Sequence, residues 1–161
     1  MSRLALAFPA ALLSLALTAC GGDNSDVASD PGPATTEPTP AEDPTVGSYP
    51  AFEPDDYTYT LVLACFCVGG GTPIDVTVRD GAVVDAVYDG DGRGVEAGTP
   101  ADQFMWLTIN DVIDEANNTE AASVRVEWPA GQDYPDSVYV DQDQNMVDEE
   151  RGYQVSDVVV G

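Results

Sequence analysis

The chain has 161 residues, a formal net charge of −24 and no histidine. Five arginines face 29 aspartates and glutamates, and there is no lysine, so a nucleic-acid partner is not expected: phosphate binding needs Lys and Arg. The missing histidine removes the Ser-His-Asp triad, the Cys-His pair, His-ligated zinc and haem, and the usual general base near neutral pH.

Residues 1–19 read as a signal peptide. Arg3 supplies the positive start, Leu4 to Leu17 are almost wholly apolar, and Leu17-Thr18-Ala19-Cys20 closes the segment. The apolar run falls short of the roughly 20 residues a transmembrane helix needs. The polar, Gly-rich sequel Gly21-Gly22-Asp23 also favours cleavage over spanning. Leu-Thr-Ala-Cys resembles the lipobox of bacterial lipoproteins. The resemblance implies that Cys20 receives a diacylglycerol, whose two acyl chains suffice for stable anchoring. The expected location is therefore the extracytoplasmic side of a cell membrane, with the membrane itself a partner through the lipid.

Residues 20–55 read as the lipidated N-terminus and a linker. The run Asp30-Pro31-Gly32-Pro33-Ala34-Thr35-Thr36-Glu37-Pro38-Thr39-Pro40 lacks apolar periodicity and is rich in Pro, Thr and acid. Such a segment cannot bury a core and is expected to be extended.

The folded domain is expected over residues 56–161. Tyr57, Tyr59, Leu61, Leu63, Cys65 and Cys67 alternate with other residues as one long strand. Ile74, Val76 and Val78 alternate with Asp75, Thr77 and Arg79, and Asp80-Gly81 marks a tight hairpin into Ala82 to Tyr88. Across that turn Val78 would face Val83 and Ile74 would face Val87. Val76 would then meet Asp85, so the register calls for a bulge. A helix is expected from Thr99, a good N-cap followed by Pro100, through Met105, Ile109, Val112, Ile113 and Ala116, ending at Asn117-Asn118. Three further strands follow: one around Val124, Val126 and Trp128, a second with Val138 and Val140, and Tyr153 to Val159. Tyr139 lies on the opposite strand face from Val138 and Val140 and is the best-placed aromatic for an exposed contact. Short links demand antiparallel pairing. The expected fold class is α+β: an antiparallel sheet of about five to six strands, in the order β-β-β-α-β-β-β, with one helix packed on one face.

Several pieces carry a family resemblance. They are Tyr57-x-Tyr59, Cys65-x-Cys67, Val76-Thr77-Val78-Arg79-Asp80-Gly81, Thr99-Pro100, Tyr134-Pro135-Asp136-Ser137-Val138 and Asp148-Glu149-Glu150-x-Gly152-Tyr153. In this order they resemble the uncharacterised bacterial domain of unknown function 6174 over about residues 55–160. That family is typically found in small lipoproteins. The resemblance implies an extracytoplasmic setting, no established activity and no catalytic residues to carry over.

Two candidate sites emerge. Lipidation of Cys20 leaves Cys65 and Cys67 as an even pair in an oxidising compartment, where a disulfide is the default. Residues i and i+2 of a strand lie roughly 6.5–7 Å apart by strand geometry, at the upper edge of disulfide range, so a bridge would need a local bend and would be strained. A strained bridge is more easily reduced, which leaves redox activity open beside a soft-metal pair and two free thiols. The second candidate is Asp141-Gln142-Asp143-Gln144-Asn145, followed by Asp148. It has the Asp-x-Asp-x-Asn opening of a calcium loop but lacks the later glycine and closing glutamate. Solvated turns are the plainer reading of that stretch and of the partial match Asp89-Gly90-Asp91-Gly92-Arg93-Gly94. No cofactor is expected, with calcium at Asp141, Asp143, Asn145 and Asp148 the open alternative. With no catalytic constellation, the expected role is non-enzymatic binding of an unknown protein or small-molecule partner. The alternative is thiol–disulfide or soft-metal handling in the cell envelope through Cys65 and Cys67.

Overall fold

The structure is a computed structural model and describes residues 44–146 and 148–161. Cys20, the signal segment and most of the expected linker lie outside the described residues. Six strands form one antiparallel sheet: β1 (Tyr57–Ala64), β2 (Pro73–Arg79), β3 (Ala82–Tyr88), β4 (Ser123–Glu127), β5 (Ser137–Asp141) and β6 (Arg151–Val160). One helix, α1 (Ile109–Ala116), follows a single 3₁₀ turn at Gln103–Met105. The spatial order is β3-β2-β1-β6-β5-β4. Two three-stranded meanders thus meet where β1 pairs with β6. The segment carrying α1 passes from one sheet edge, β3, to the other, β4, and α1 packs over β5 and β4.

Period-two patterning explains the sheet. Tyr57, Tyr59, Leu61 and Leu63 of β1 are buried, as are Ile74, Val76 and Val78 of β2, Val138 and Val140 of β5, and Tyr153 and Val155 of β6. All face the same core as Ile109, Val112, Ile113 and Ala116 of α1. The other face carries Thr58, Thr60, Asp75, Thr77 and Gln154. The expected hairpin bulge is present: Val78 pairs with Val83, but Thr77 pairs with Asp85. Val84 is the extra residue. It turns outward, and it puts Ala86 rather than Asp85 opposite Val76. Ile74 consequently meets Tyr88, not Val87.

Three expectations need correction. The helix does not begin at Thr99. Backbone groups there extend the β3 edge: Tyr88 N–H donates to Thr99 O at 3.0 Å, and Ala101 N–H donates to Ala86 O at 2.9 Å. The N-cap is Thr108, whose hydroxyl accepts from Asp111 N at 3.1 Å while its own N–H donates to Asp111 Oδ2 at 2.7 Å. This is a capping box with Asp in place of Glu. Strand β1 stops at Ala64, and Cys65 to Cys67 form a bend. Packing also starts upstream of residue 56. Phe52 belongs to the core, and the Tyr49 ring stacks on Trp128 with centroids 5.1 Å apart.

Tyr139 is half-buried and already has a partner. The Arg125 guanidinium, on the residue paired with it across β4 and β5, lies 4.1 Å from its ring centroid.

Candidate functional site

The described residues enclose an open cleft of about 920 Å³ at the end of the sheet where β1 stops and β6 starts. Its walls come from four places: the Cys65–Cys67 bend, the segment holding Phe104 and Leu107, one face and the C-terminal end of α1 with the link after it, and residues Asp148 to Tyr153. A size of this order suits a drug-sized ligand or a short peptide.

Cys65 and Cys67 are joined by a disulfide, with Cα atoms 5.3 Å apart. The bend shortens the i to i+2 spacing of an extended strand by more than an ångström. Chain geometry holds it there. Gly71 N–H donates to Leu63 O at 2.9 Å, and Gly70 N–H donates to Cys67 O at 3.3 Å. A Cβ at Gly70 would stand 2.5 Å from Cys65 O and 3.2–3.3 Å from both sulfurs, so only glycine lets the backbone close over the bridge. The two cysteines are half-buried, and Phe66 between them projects outward with 77% of its surface exposed. Phe104, also on the cleft wall, is 55% exposed.

The opposite wall is acidic. Asp111, Asp114 and Glu115 share one face of α1 by their spacing and line the cleft with Glu120, Asp148 and Glu150. Arg151 is the one basic residue among the lining. Tyr153 ties the two walls, its hydroxyl donating to Glu115 Oε1 at 3.3 Å. Burial, and secondarily the Glu115 charge, push the Tyr153 phenol above its ordinary value, so it stays a neutral donor.

The sequence candidates fare differently. Cys65, Cys67 and Asp148 come together on this cleft. Asp141, Asp143 and Asn145 do not line it. Asp143 Oδ1 instead accepts from both N–H and Nδ2 of Asn145, at 2.9 and 3.0 Å, and these bonds lower its carboxyl below the usual range. Asp141 Oδ1 is buried without a hydrogen-bond partner among the described residues. No group of three or more His, Cys, Asp or Glu side chains among the described residues is placed to share a metal ion. In the loop from Asp89 to Gly94, a Cβ at Gly92 would stand 1.7 Å from the Thr72 hydroxyl oxygen. That glycine is there for close packing. Sequence reasoning missed the α1 contribution. The signal is the spacing of Asp111-x-x-Asp114-Glu115, which places three carboxylates on one helix face in a chain where acids are common everywhere.

The structure therefore defines an α+β domain: a six-stranded antiparallel sheet covered by one helix, with an acidic, disulfide-walled cleft at one end. The chain belongs to the Family of unknown function (DUF6174), whose family model matches residues 41–160. The match begins ahead of Tyr49 and Phe52, the upstream residues that the structure packs onto the domain. No curated protein and no solved structure matches the chain.

Proposed function

We propose that this protein is a lipid-anchored, extracytoplasmic, non-enzymatic binding module. The supporting observation is the cleft of about 920 Å³ that the disulfide bend and α1 build together. Its lining offers carboxylates, amides, aromatic rings and a closed disulfide, groups suited to holding a ligand. The lipobox-like Leu17-Thr18-Ala19-Cys20 supports anchoring through Cys20. Anionic headgroups would repel so acidic a body, which favours a ligand other than the membrane surface itself.

Two measurements test this reading. Cys20→Ser should move the protein from the membrane fraction to the soluble fraction; unchanged membrane retention sinks the anchor. A photo-crosslinking amino acid at Phe104 should give discrete adducts in intact cells, and one at Val84, equally exposed on the β3 bulge, should give none. Equal labelling at both positions sinks the cleft as the binding site.

A second reading is thiol–disulfide exchange, favoured by the half-buried position of the Cys65–Cys67 bridge on the cleft wall. Alkylation followed by mass spectrometry decides it. A bridge that stays oxidised in mild thiol buffers is a structural clip.

A further inference from the structure

We infer that the cleft binds a cationic peptide segment in which Arg or Lys alternates with apolar or aromatic side chains. The inference rests on the reading of this domain as a binding module and adds the ligand class.

The first argument is electrostatic and lies in α1. A helix carries partial negative charge at its C-terminus, where cations stabilise it. The last turn of α1 holds no basic residue and holds Asp114 and Glu115 instead. Asp111 and Glu115 stand four residues apart, a like-charge spacing that opposes helix formation. Asp111 is committed to the Thr108 cap, but Asp114 and Glu115 work against local stability, and all three carboxylates face the same cleft. The link after the helix adds Glu120, and the approach to β6 adds Asp148 and Glu150, against Arg151 alone. Local rules broken together at one concavity are the mark of a functional site. The missing partner is positive.

The second argument is the apolar part. Phe66 and Phe104 are among the most exposed large hydrophobic residues described, and both line this cleft with Leu63 and Leu107. The ring of Phe66 already receives a cation from its own chain, the Arg93 guanidinium at 5.9 Å from its centroid. A polyamine would answer the carboxylates and leave the rings uncovered. A hard divalent ion wants six to eight converging oxygens, and the carboxylates here are spread along a cleft of about 920 Å³ with no three of them placed to share an ion. A peptide that alternates guanidinium or ammonium groups with apolar side chains meets both surfaces at once.

The test is calorimetric titration of the full chain, held in non-ionic detergent, with a capped hexapeptide of alternating arginine and tryptophan. Parallel titrations use a hexapeptide alternating arginine and glycine, one alternating serine and tryptophan, spermine, and calcium chloride. The alternating arginine–tryptophan peptide should bind about tenfold or more tightly than any other probe, and more weakly as salt rises. The double variant Asp114→Asn, Glu115→Gln and the single variant Phe66→Ser should each lose about tenfold in affinity. The double variant relieves the helix, so its thermal midpoint should hold or rise, which separates lost binding from lost folding. Equal binding of spermine, or undiminished peptide binding by both variants, overturns the inference. Failure of every cationic probe while the Phe104 crosslink persists in cells overturns the ligand class and leaves the module reading intact. Failure of both removes the module reading as well.

Discussion

Asn110 holds Phe52 by both backbone groups. The Phe52 N–H donates to Asn110 Oδ1 at 2.8 Å, and Asn110 Nδ2 donates to the Phe52 carbonyl at 3.0 Å. Seven residues later on the same helix face, Asn117 does the same for Tyr49, at 2.8 and 3.0 Å. The two amides act as a short strand edge and lay residues 49–52 along α1. The Phe52 ring then packs edge-on against Tyr57 and Tyr134, with centroids 5.1 and 5.8 Å away.

Asn110→Ala should therefore cost about 2 kcal/mol, because it removes two part-buried hydrogen bonds and leaves Phe52 N–H and C=O unpaired. Asn110→Asp should cost at least as much: the carboxylate keeps the acceptor, loses the donor and faces a carbonyl oxygen. Urea unfolding midpoints measure both. A shift indistinguishable from zero for either variant would mean that the clamp holds nothing.

The two threonines before α1 separate cleanly. Thr108→Ala should lose about 1 kcal/mol, the usual value of an N-cap hydroxyl, since Thr108 completes the box with Asp111. Thr99→Ala should lose less. Its hydroxyl donates to Glu96 O at 2.6 Å in an exposed turn, while the groups that fix it to β3 are backbone. Comparing the two thermal midpoints checks this, and the reverse order would restore Thr99 as the cap.

That pair also shows what was legible in the sequence. Alternation in Tyr57 to Leu63, Ile74 to Val78, Val124 to Trp128 and Val138 to Val140 is a local property and marks the strands. The short links between them require antiparallel pairing, and the spacing of Ile109, Val112, Ile113 and Ala116 marks the helix. The bulge at Val84 followed from counting residues across Asp80-Gly81. Thr99 misled because Thr-Pro-x-Asp is a genuine helix-start pattern, and what overrides it is non-local: the unpaired edge of β3 takes its backbone groups. The adjacency of β1 and β6 lies nearly a hundred residues apart in the chain and has no local signature. Cys65 and Cys67 were visible as a pair. Their place opposite Asp111, Asp114 and Glu115 depends on that same long-range pairing. Tyr49 and Phe52 were hidden by the Pro and acid around them, since the groups that recruit them are two asparagines on a helix.

Gly92→Ala should be among the most damaging single-methyl changes in the domain. Its Cβ would meet Thr72 at 1.7 Å from Oγ1, 2.8 Å from Cβ and 3.0 Å from Cγ2, and Thr72 is buried. Neither residue can retreat without moving backbone, so overpacking of about 1–3 kcal/mol is expected. Gly90→Ala, two positions away with nothing within 4 Å, should stay within about 0.5 kcal/mol. The contrast in denaturation midpoints distinguishes a packing glycine from a flexible acidic loop. Equal tolerance at both positions would return the loop to the solvated-turn reading.

Alkaline stability follows from the tyrosines. Tyr57, Tyr59, Tyr88 and Tyr153 all hold their phenolic protons above the ordinary value of 10.0, each chiefly through burial. Tyr59 is shifted furthest, and its hydroxyl donates to the Leu107 carbonyl. In the unfolded chain these phenols release protons near pH 10, while the folded chain keeps them. The unfolded state therefore binds fewer protons in the window above about pH 10, and stability falls as pH rises through it. Below that window all four are protonated in both states and their contribution is complete. The chain has no lysine or histidine to add to the titration there. Tyrosinate absorbance from these four should thus appear together with the loss of far-ultraviolet circular dichroism. Tyr59→Phe should be less stable than the parent near neutral pH, having lost a hydrogen bond, and the deficit should shrink as pH climbs past about 10, because the variant carries one fewer group that favours unfolding. Ionisation of all four near pH 10 with the fold intact, or a deficit independent of pH, would contradict their burial.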